Sequence, residues 1–201
     1  GFVTALEAGG APRWGRAIQS PSGAIRAIDA TVSRVNYLLV TGGYASGDVD
    51  FGLSTGAPPH AGDFDAYLAA YQLSDGMPLW VQPYGDAAQQ MGIRLAVDPA
   101  GNVLWTGYAV GAISFDGQQP IPVNYIDAFA VKLAPPAVDG PGEVIWSQLL
   151  GDDSEQVGLD ISASPLGNVV VAGYATASFR IGPTLLEYEG GRDVWVASLR
   201  P

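Results

Sequence analysis

Three tryptophans set a period. Trp14, Trp80 and Trp146 are 66 residues apart (80 − 14 = 66; 146 − 80 = 66). A fixed period of this size is the mark of a repeat architecture, and other features have to be placed inside it. Gly85 and Gly151, Gly92 and Gly158, and Asn102 and Asn168 keep the same spacing, the last pair within GNVLWTGY and GNVVVAGY. The first copy, Asn36-Tyr37-Leu38-Leu39-Val40-Thr41-Gly42-Gly43-Tyr44, carries one extra residue. Asp65, Asp127 and Asp193 each open an alternating apolar run, and Phe2-Val3-Thr4-Ala5-Leu6 reads as the tail of a further copy. The chain therefore divides into a partial unit at 1–20, unit one at 21–85, unit two at 86–151 and unit three at 152–201, in one array over 1–201.

Each unit predicts the same strands. The Asp run and the Trp run face each other across a turn at 9–12, 74–76 and the longer 135–142, which is a hairpin pattern. A polar loop follows the Trp strand, then a second hairpin, at 93–97 and 103–107 in unit two. Its turn is Asp98-Pro99-Ala100-Gly101-Asn102, with Ser164-Pro165-Leu166-Gly167-Asn168 in unit three. Asp-Pro sets the start of such a turn and Gly-Asn accepts positive φ. Unit one has neither Asp-Pro nor Gly before Asn36, so its turn is expected to depart. The second hairpin is apolar at nearly every position, which predicts burial on both faces. A Phe-containing stretch at 49–52, 113–117 and 179–182 reads as a short extra strand. The residues from Asp86 to Met91 are the best candidate for a helical turn.

Four short antiparallel strands per unit, repeated radially, predict an all-β fold: a β-propeller of four-stranded blades, three units plus the N-terminal partial one. A β-solenoid is the competing reading, but its coils are shorter and lack paired hairpin turns. Three units cannot close a circle at ordinary blade angles, so further blades or another subunit are expected partners. The chain reads as a processed product or a fragment.

The pattern DAFAVKL, a Gly turn, a Trp strand, a Gly-Asp loop and a DPAGNVLWTGY-like hairpin resembles the bacterial seven-bladed β-propeller (SBBP) repeat. The resemblance covers nearly the whole chain and is strongest at 63–201. It implies an extracellular or cell-surface propeller, and it brings no catalytic motif to transfer.

Composition narrows the function. The net charge is −11, with one Lys (Lys132) and eight Arg, so the chain cannot neutralise a phosphate backbone and nucleic acid is excluded as a partner. Only 14% of residues are charged, against about 25% in ordinary domains, so Gly, Pro and small polar residues must cover the surface. Cysteine is absent, which removes disulfides and thiolate metal sites. No apolar run approaches the ~18 residues of a spanning helix, so no membrane insertion is expected.

Few residues suggest chemistry. Gly52-Leu53-Ser54-Thr55-Gly56 matches G-x-S-x-G, but Ala57-Pro58-Pro59 follows where a nucleophile elbow needs a helix, and His60 is the one histidine. Asp152, Asp153 and Glu155 form the best oxygen-ligand cluster, with calcium the cofactor it would suit; the bland alternative is a solvated acidic loop. Asp65, Asp127 and Asp193 are either carboxylates ringing a pore or acceptors for backbone N–H groups at strand starts. Tyr44, Tyr108 and Tyr174 are candidates for stacking on a sugar at a rim, or aromatic edges closing each unit's core. Trp14, Trp80 and Trp146 are expected to pack between units. The sequence thus predicts a non-enzymatic scaffold or protein-interaction module, with a glycan-binding or calcium-dependent propeller as the alternative.

Overall fold

The structure, a computed structural model, describes residues 1–45, 47–56, 58–60, 62–117 and 121–199. These form fifteen β-strands and no helix. Strands β1 (Phe2–Leu6) and β2 (Pro12–Ala17) make an N-terminal hairpin. Sheet I comprises β3 (Ile25–Val32), β4 (Tyr37–Tyr44), β5 (Asp65–Gln72) and β6 (Pro78–Tyr84). Sheet II comprises β7 (Gln90–Val97), β8 (Val103–Ile113), β9 (Ile121–Leu133) and β10 (Val144–Leu150). Sheet III comprises β11 (Gln156–Ala163), β12 (Val169–Ala175) and β15 (Asp193–Leu199), while β13 (Phe179–Ile181) and β14 (Thr184–Leu186) form a small separate hairpin. Strands in sheets I to III pair antiparallel in chain order, as meanders.

The same turn joins the first two strands of every sheet. The N–H groups of Ser33, Asp98 and Ser164 donate to the carbonyls of Tyr37, Asn102 and Asn168, and the N–H groups of Asn36, Gly101 and Gly167 donate back to the carbonyls of Ser33, Asp98 and Ser164. Gly101 and Gly167 have φ of +92° and +85°, and Asn36 takes the equivalent place at +61°. Asparagine is the non-glycine residue best able to adopt this left-handed conformation. Unit one therefore reaches the common turn despite its divergent sequence.

The sheets stack face to face. Strand β7 lies against β3, β4 and β5, and β11 lies against β7, β8 and β9. One face of sheet I (Leu39, Leu68, Ala70) packs on Val103, Trp105 and Phe129 of sheet II. The opposite face of sheet II (Leu104, Ala128, Ala130) packs on Val169, Val171 and Trp195 of sheet III. Val3 and Ile18 pack on Val40, Tyr67 and Tyr71 of sheet I. Two equivalent glycines allow the close approach. A Cβ on Gly92 would stand 2.0 Å from Thr41 Oγ1, and one on Gly158 would stand 2.2 Å from Thr106 Oγ1.

The tryptophans link neighbouring sheets as well as packing. Trp14 Nε1 donates to the carbonyl of Leu73, and Trp80 Nε1 to that of Ala137, each at 3.0 Å. In both cases the indole of one unit's last strand holds the turn before the next unit's last strand. Trp80 is buried, while Trp14 and Trp146 are half-buried. Trp146 Nε1 is buried without a hydrogen-bond partner.

Some expectations fail. Residues 86–89 form an irregular connection and β7 begins at Gln90, so no helical turn exists there; the carboxylate of Asp86 instead accepts from the N–H of Ala88 and the amide of Gln90. Burial on both faces holds for β4 and most of β8 but not for β3, whose residues are largely exposed; β3 packs against β7, whereas β7 has both β3–β5 and β11 against it. The Phe-containing stretch differs in each unit. It is the β13–β14 hairpin in unit three; in unit two Ile113 ends β8 and 114–117 form a bend; in unit one, among the described residues, it makes a single isolated backbone bridge, Gln19 with Asp50.

Candidate functional site at the inner strand edges

The first strand of each sheet carries a bulge at the same place. Pairing slips between Ala27 and Asp29, Gly92 and Arg94, and Gly158 and Asp160. A bulge re-aims the side chain that follows it. Here it places Asp29, Arg94 and Asp160 in one ladder across β3, β7 and β11. Arg94 Nη1 lies 3.5 Å from Asp29 Oδ1, and Arg94 Nε lies 3.0 Å from Asp160 Oδ1. The N–H of Leu95 also donates to Asp29 Oδ2 at 2.7 Å. Sequence reasoning missed this ladder. Its signal is an alternating charge at one repeat position (94 − 29 = 65; 160 − 94 = 66), hidden because the bulge breaks strand alternation.

A second group lies where the first strands begin and the second strands end. Tyr108 donates to Gln89 Oε1 at 3.1 Å, and Tyr174 donates to Glu155 Oε1. The guanidinium of Arg192 sits 4.4 Å over the Tyr174 ring and 3.4 Å from Glu155 Oε1. Burial and the hydrogen bond to anionic Glu155 push the Tyr174 hydroxyl up to about 12. Burial likewise raises Tyr108. Tyr44 does not join them. It is fully buried against Phe51, His60 and Tyr67, and its hydroxyl donates to the carbonyl of Pro59. Phe51, Pro59 and His60 fold back over this ring in unit one, so Tyr44 closes a core rather than forming a rim.

Asp65, the first residue of β5, and Asp127, inside β9, sit at the joints between units. Gly85 and Gly151 lie so close to Asp65 and Asp127 that a Cβ would stand 2.2 and 2.3 Å from their Oδ1 atoms. Beside each is a fully buried glutamine. Gln90 donates to Asp86 Oδ1 and the carbonyl of Val110, each at 2.7 Å, and accepts from the N–H of Asp86. Gln156 donates to Asp152 Oδ1 at 3.0 Å and to Ser154 Oγ at 2.6 Å, and accepts from the N–H of Asp152. Burial, with the nearby Asp152 and Asp153 carboxylates, pushes Asp127 up to about 6. Its Oδ1 is buried without a hydrogen bond. Asp193, in unit three, accepts the N–H of Glu189.

The acidic loop is already engaged by its own chain. Asp152 accepts from Ser154 and Gln156, and Glu155 from Tyr174 and Arg192, while Asp153 is exposed. Among the described residues no group of three or more His, Asp or Glu side chains has the arrangement of a metal site. The lone lysine is internal too. Lys132 Nζ lies 3.0 Å from Asp98 Oδ2, both side chains nearly inaccessible. Burial alone would raise the Asp98 carboxyl, but hydrogen bonds from Asn102 and Lys132 outweigh it and hold it below the usual range.

Ser54 is exposed in a turn, and no helix follows it among the described residues; Ala57 lies outside them. The His60 ring packs at a tilt against Tyr44, with Nε2 2.7 Å from the carbonyl of Asp63. A G-x-S-x-G without its strand–turn–helix setting is a glycine-rich loop. A groove of about 720 Å³ opens between sheets I and II, lined by Tyr84, Asp86, Ser114, Phe115, Asp116 and Glu143. Comparison with known proteins matches the chain to no family model and to no curated relative.

Proposed function

We propose that the chain is a β-propeller interaction module of the SBBP type: a non-enzymatic scaffold, extracellular or at the cell surface, whose three sheets are blades of a larger ring. The observation that carries this reading is the Asp29–Arg94–Asp160 ladder. It aligns the first strand of each sheet with the first strand of the next, which is how blades arranged about an axis present their innermost strands. The scaffold reading is further supported by where the polar groups go. Tyr174, Glu155, Arg192, Asp152 and Lys132 hold strands and turns of the chain itself together. Function resides in sites rather than folds, and these polar groups are spent on architecture.

Glycan-array binding, run with and without calcium, tests the reading. A scaffold of this kind gives no glycan signal in either condition. A signal abolished by Tyr108→Ala or Tyr174→Ala would replace it with the carbohydrate-binding alternative.

A further inference from the structure

The outer face of sheet III is built like an interface. Val170, Val194 and Val196 stand 66 residues after Leu104, Ala128 and Ala130 (170 − 104 = 194 − 128 = 196 − 130 = 66). In sheet II those three residues are 0% exposed beneath sheet III. In sheet III, Val194 is 81% and Val196 62% exposed. The N-terminal hairpin presents the other half of the same interface. Pairing of Ala17 with Phe2 and Pro12 with Leu6 matches that of Pro83 with Tyr67 and Pro78 with Tyr71 (17 + 66 = 83; 12 + 66 = 78). Tyr67 and Tyr71 are buried where sheet I meets the preceding hairpin, whereas Phe2 is 73% and Leu6 57% exposed.

We propose that these two faces bind each other between two copies of the chain, head to tail, the Val194–Val196 face of one copy covering the Phe2–Leu6 face of the next. This inference rests on the reading of the sheets as members of one stacked array. The occupant follows from continuity: the stacking that joins the hairpin to sheet I, sheet I to II and sheet II to III uses one such pair of faces each time. Both open faces are uncharged at these positions, so the chain's net charge of −11 does not set acid against acid across the contact. A contact between two different patches is heterologous, and it repeats from copy to copy until it closes a ring or runs on as an open chain; blades turning about one axis let two copies close such a ring.

Sedimentation of the wild-type chain over rising concentration, up to about 100 µM, reads the association. The expected result is growth in mass past the monomer, to a dimer closed head to tail or to a larger assembly. Val196→Glu and Phe2→Glu each leave one face intact, so each variant alone is expected to be a monomer. Mixed in equal amounts they are expected to form a 1:1 dimer and nothing larger. Both positions are exposed in the single chain, so circular dichroism, and the unfolding midpoint at concentrations where wild type is still a monomer, should match wild type and report that each variant is folded. A folded wild-type monomer throughout the range would overturn the proposal, as would Phe2→Glu dimerising by itself. Neither result would touch the proposed scaffold role, whose own test is the glycan array.

Discussion

The indole N–H of Trp80 donates to the carbonyl of Ala137 at 3.0 Å, tying the last strand of sheet I to a turn of sheet II. Trp14 makes the same bond to Leu73 one unit earlier. Trp146, at the same repeat position, has a buried Nε1 and no acceptor. The repeat thus places a hydrogen-bonded and an orphaned copy of one group in a single chain. Phenylalanine keeps the aromatic packing and removes the donor. Trp80→Phe is expected to cost about 1 kcal/mol more than Trp146→Phe, because only the first loses a hydrogen bond, while the second removes an unsatisfied donor. Urea unfolding of the two variants reads the difference; equal losses would show that the bond to Ala137 contributes nothing.

Gly158 is expected to tolerate no side chain. Its Cβ would meet Thr106 Oγ1, which is itself held by a 2.6 Å bond to the carbonyl of Phe129 and cannot swing away freely. Overpacking of this kind costs about 1–3 kcal/mol. Gly158→Ala combined with Thr106→Ala should lose less than the sum of the two single losses, since the second change removes the clashing atom. Strict additivity in equilibrium unfolding would refute the close contact.

Asn36 carries the turn of unit one at φ +61°. Asn36→Ala puts a residue with no local hydrogen-bonding side chain into the left-handed region, at a cost of about 1–2 kcal/mol. Asn36→Gly should be within a few tenths of a kcal/mol of wild type, roughly the difference between two residues that both accept positive φ. If alanine is as stable as glycine here, the turn takes some other conformation in solution.

Asp127 gives a pH signature of fixed sign. Its folded-state value, about 6, lies above that of an unfolded aspartate. Its contribution is therefore fully present below the unfolded value, near 3.9, and is lost as pH rises through about 6. Asp152 and Asp153 are exposed and partly screened, so the loss should reach about 1–2 kcal/mol rather than the full value of a two-unit shift. Asp127→Asn removes the titrating group. The stability difference between variant and wild type should change by that amount between pH 4 and pH 7.5, in the variant's favour at the higher pH. A difference flat across this range would remove Asp127 from the account.

Calcium is expected to find no site in the acidic loop. The Asp152 and Glu155 carboxylates already accept from Ser154, Gln156, Tyr174 and Arg192. Calorimetric titration should register no micromolar binding; a micromolar event abolished by Asp152→Ala would show that the loop reorganises around an ion.

The 66-residue period, with its turn residues and alternating runs, was enough to determine the all-β class, the antiparallel hairpins and the positions of most strands. Those properties follow from local chemistry: Gly101 and Gly167 accept positive φ, and apolar alternation marks a face to be buried. The tertiary structure decided which face meets which neighbour, and there the sequence was least legible. Asp29, Arg94 and Asp160 look like scattered charges until three bulges turn them into one ladder. Tyr44 carries the same repeat label as Tyr108 and Tyr174, yet Phe51, Pro59 and His60 bury it. Val196 and Ala130 occupy one position of the repeat, and only the presence or absence of a covering sheet separates an exposed valine from a buried alanine. Period and turn chemistry are encoded over a few residues, whereas burial depends on segments up to a whole unit away, so only the assembled stack of sheets could decide it.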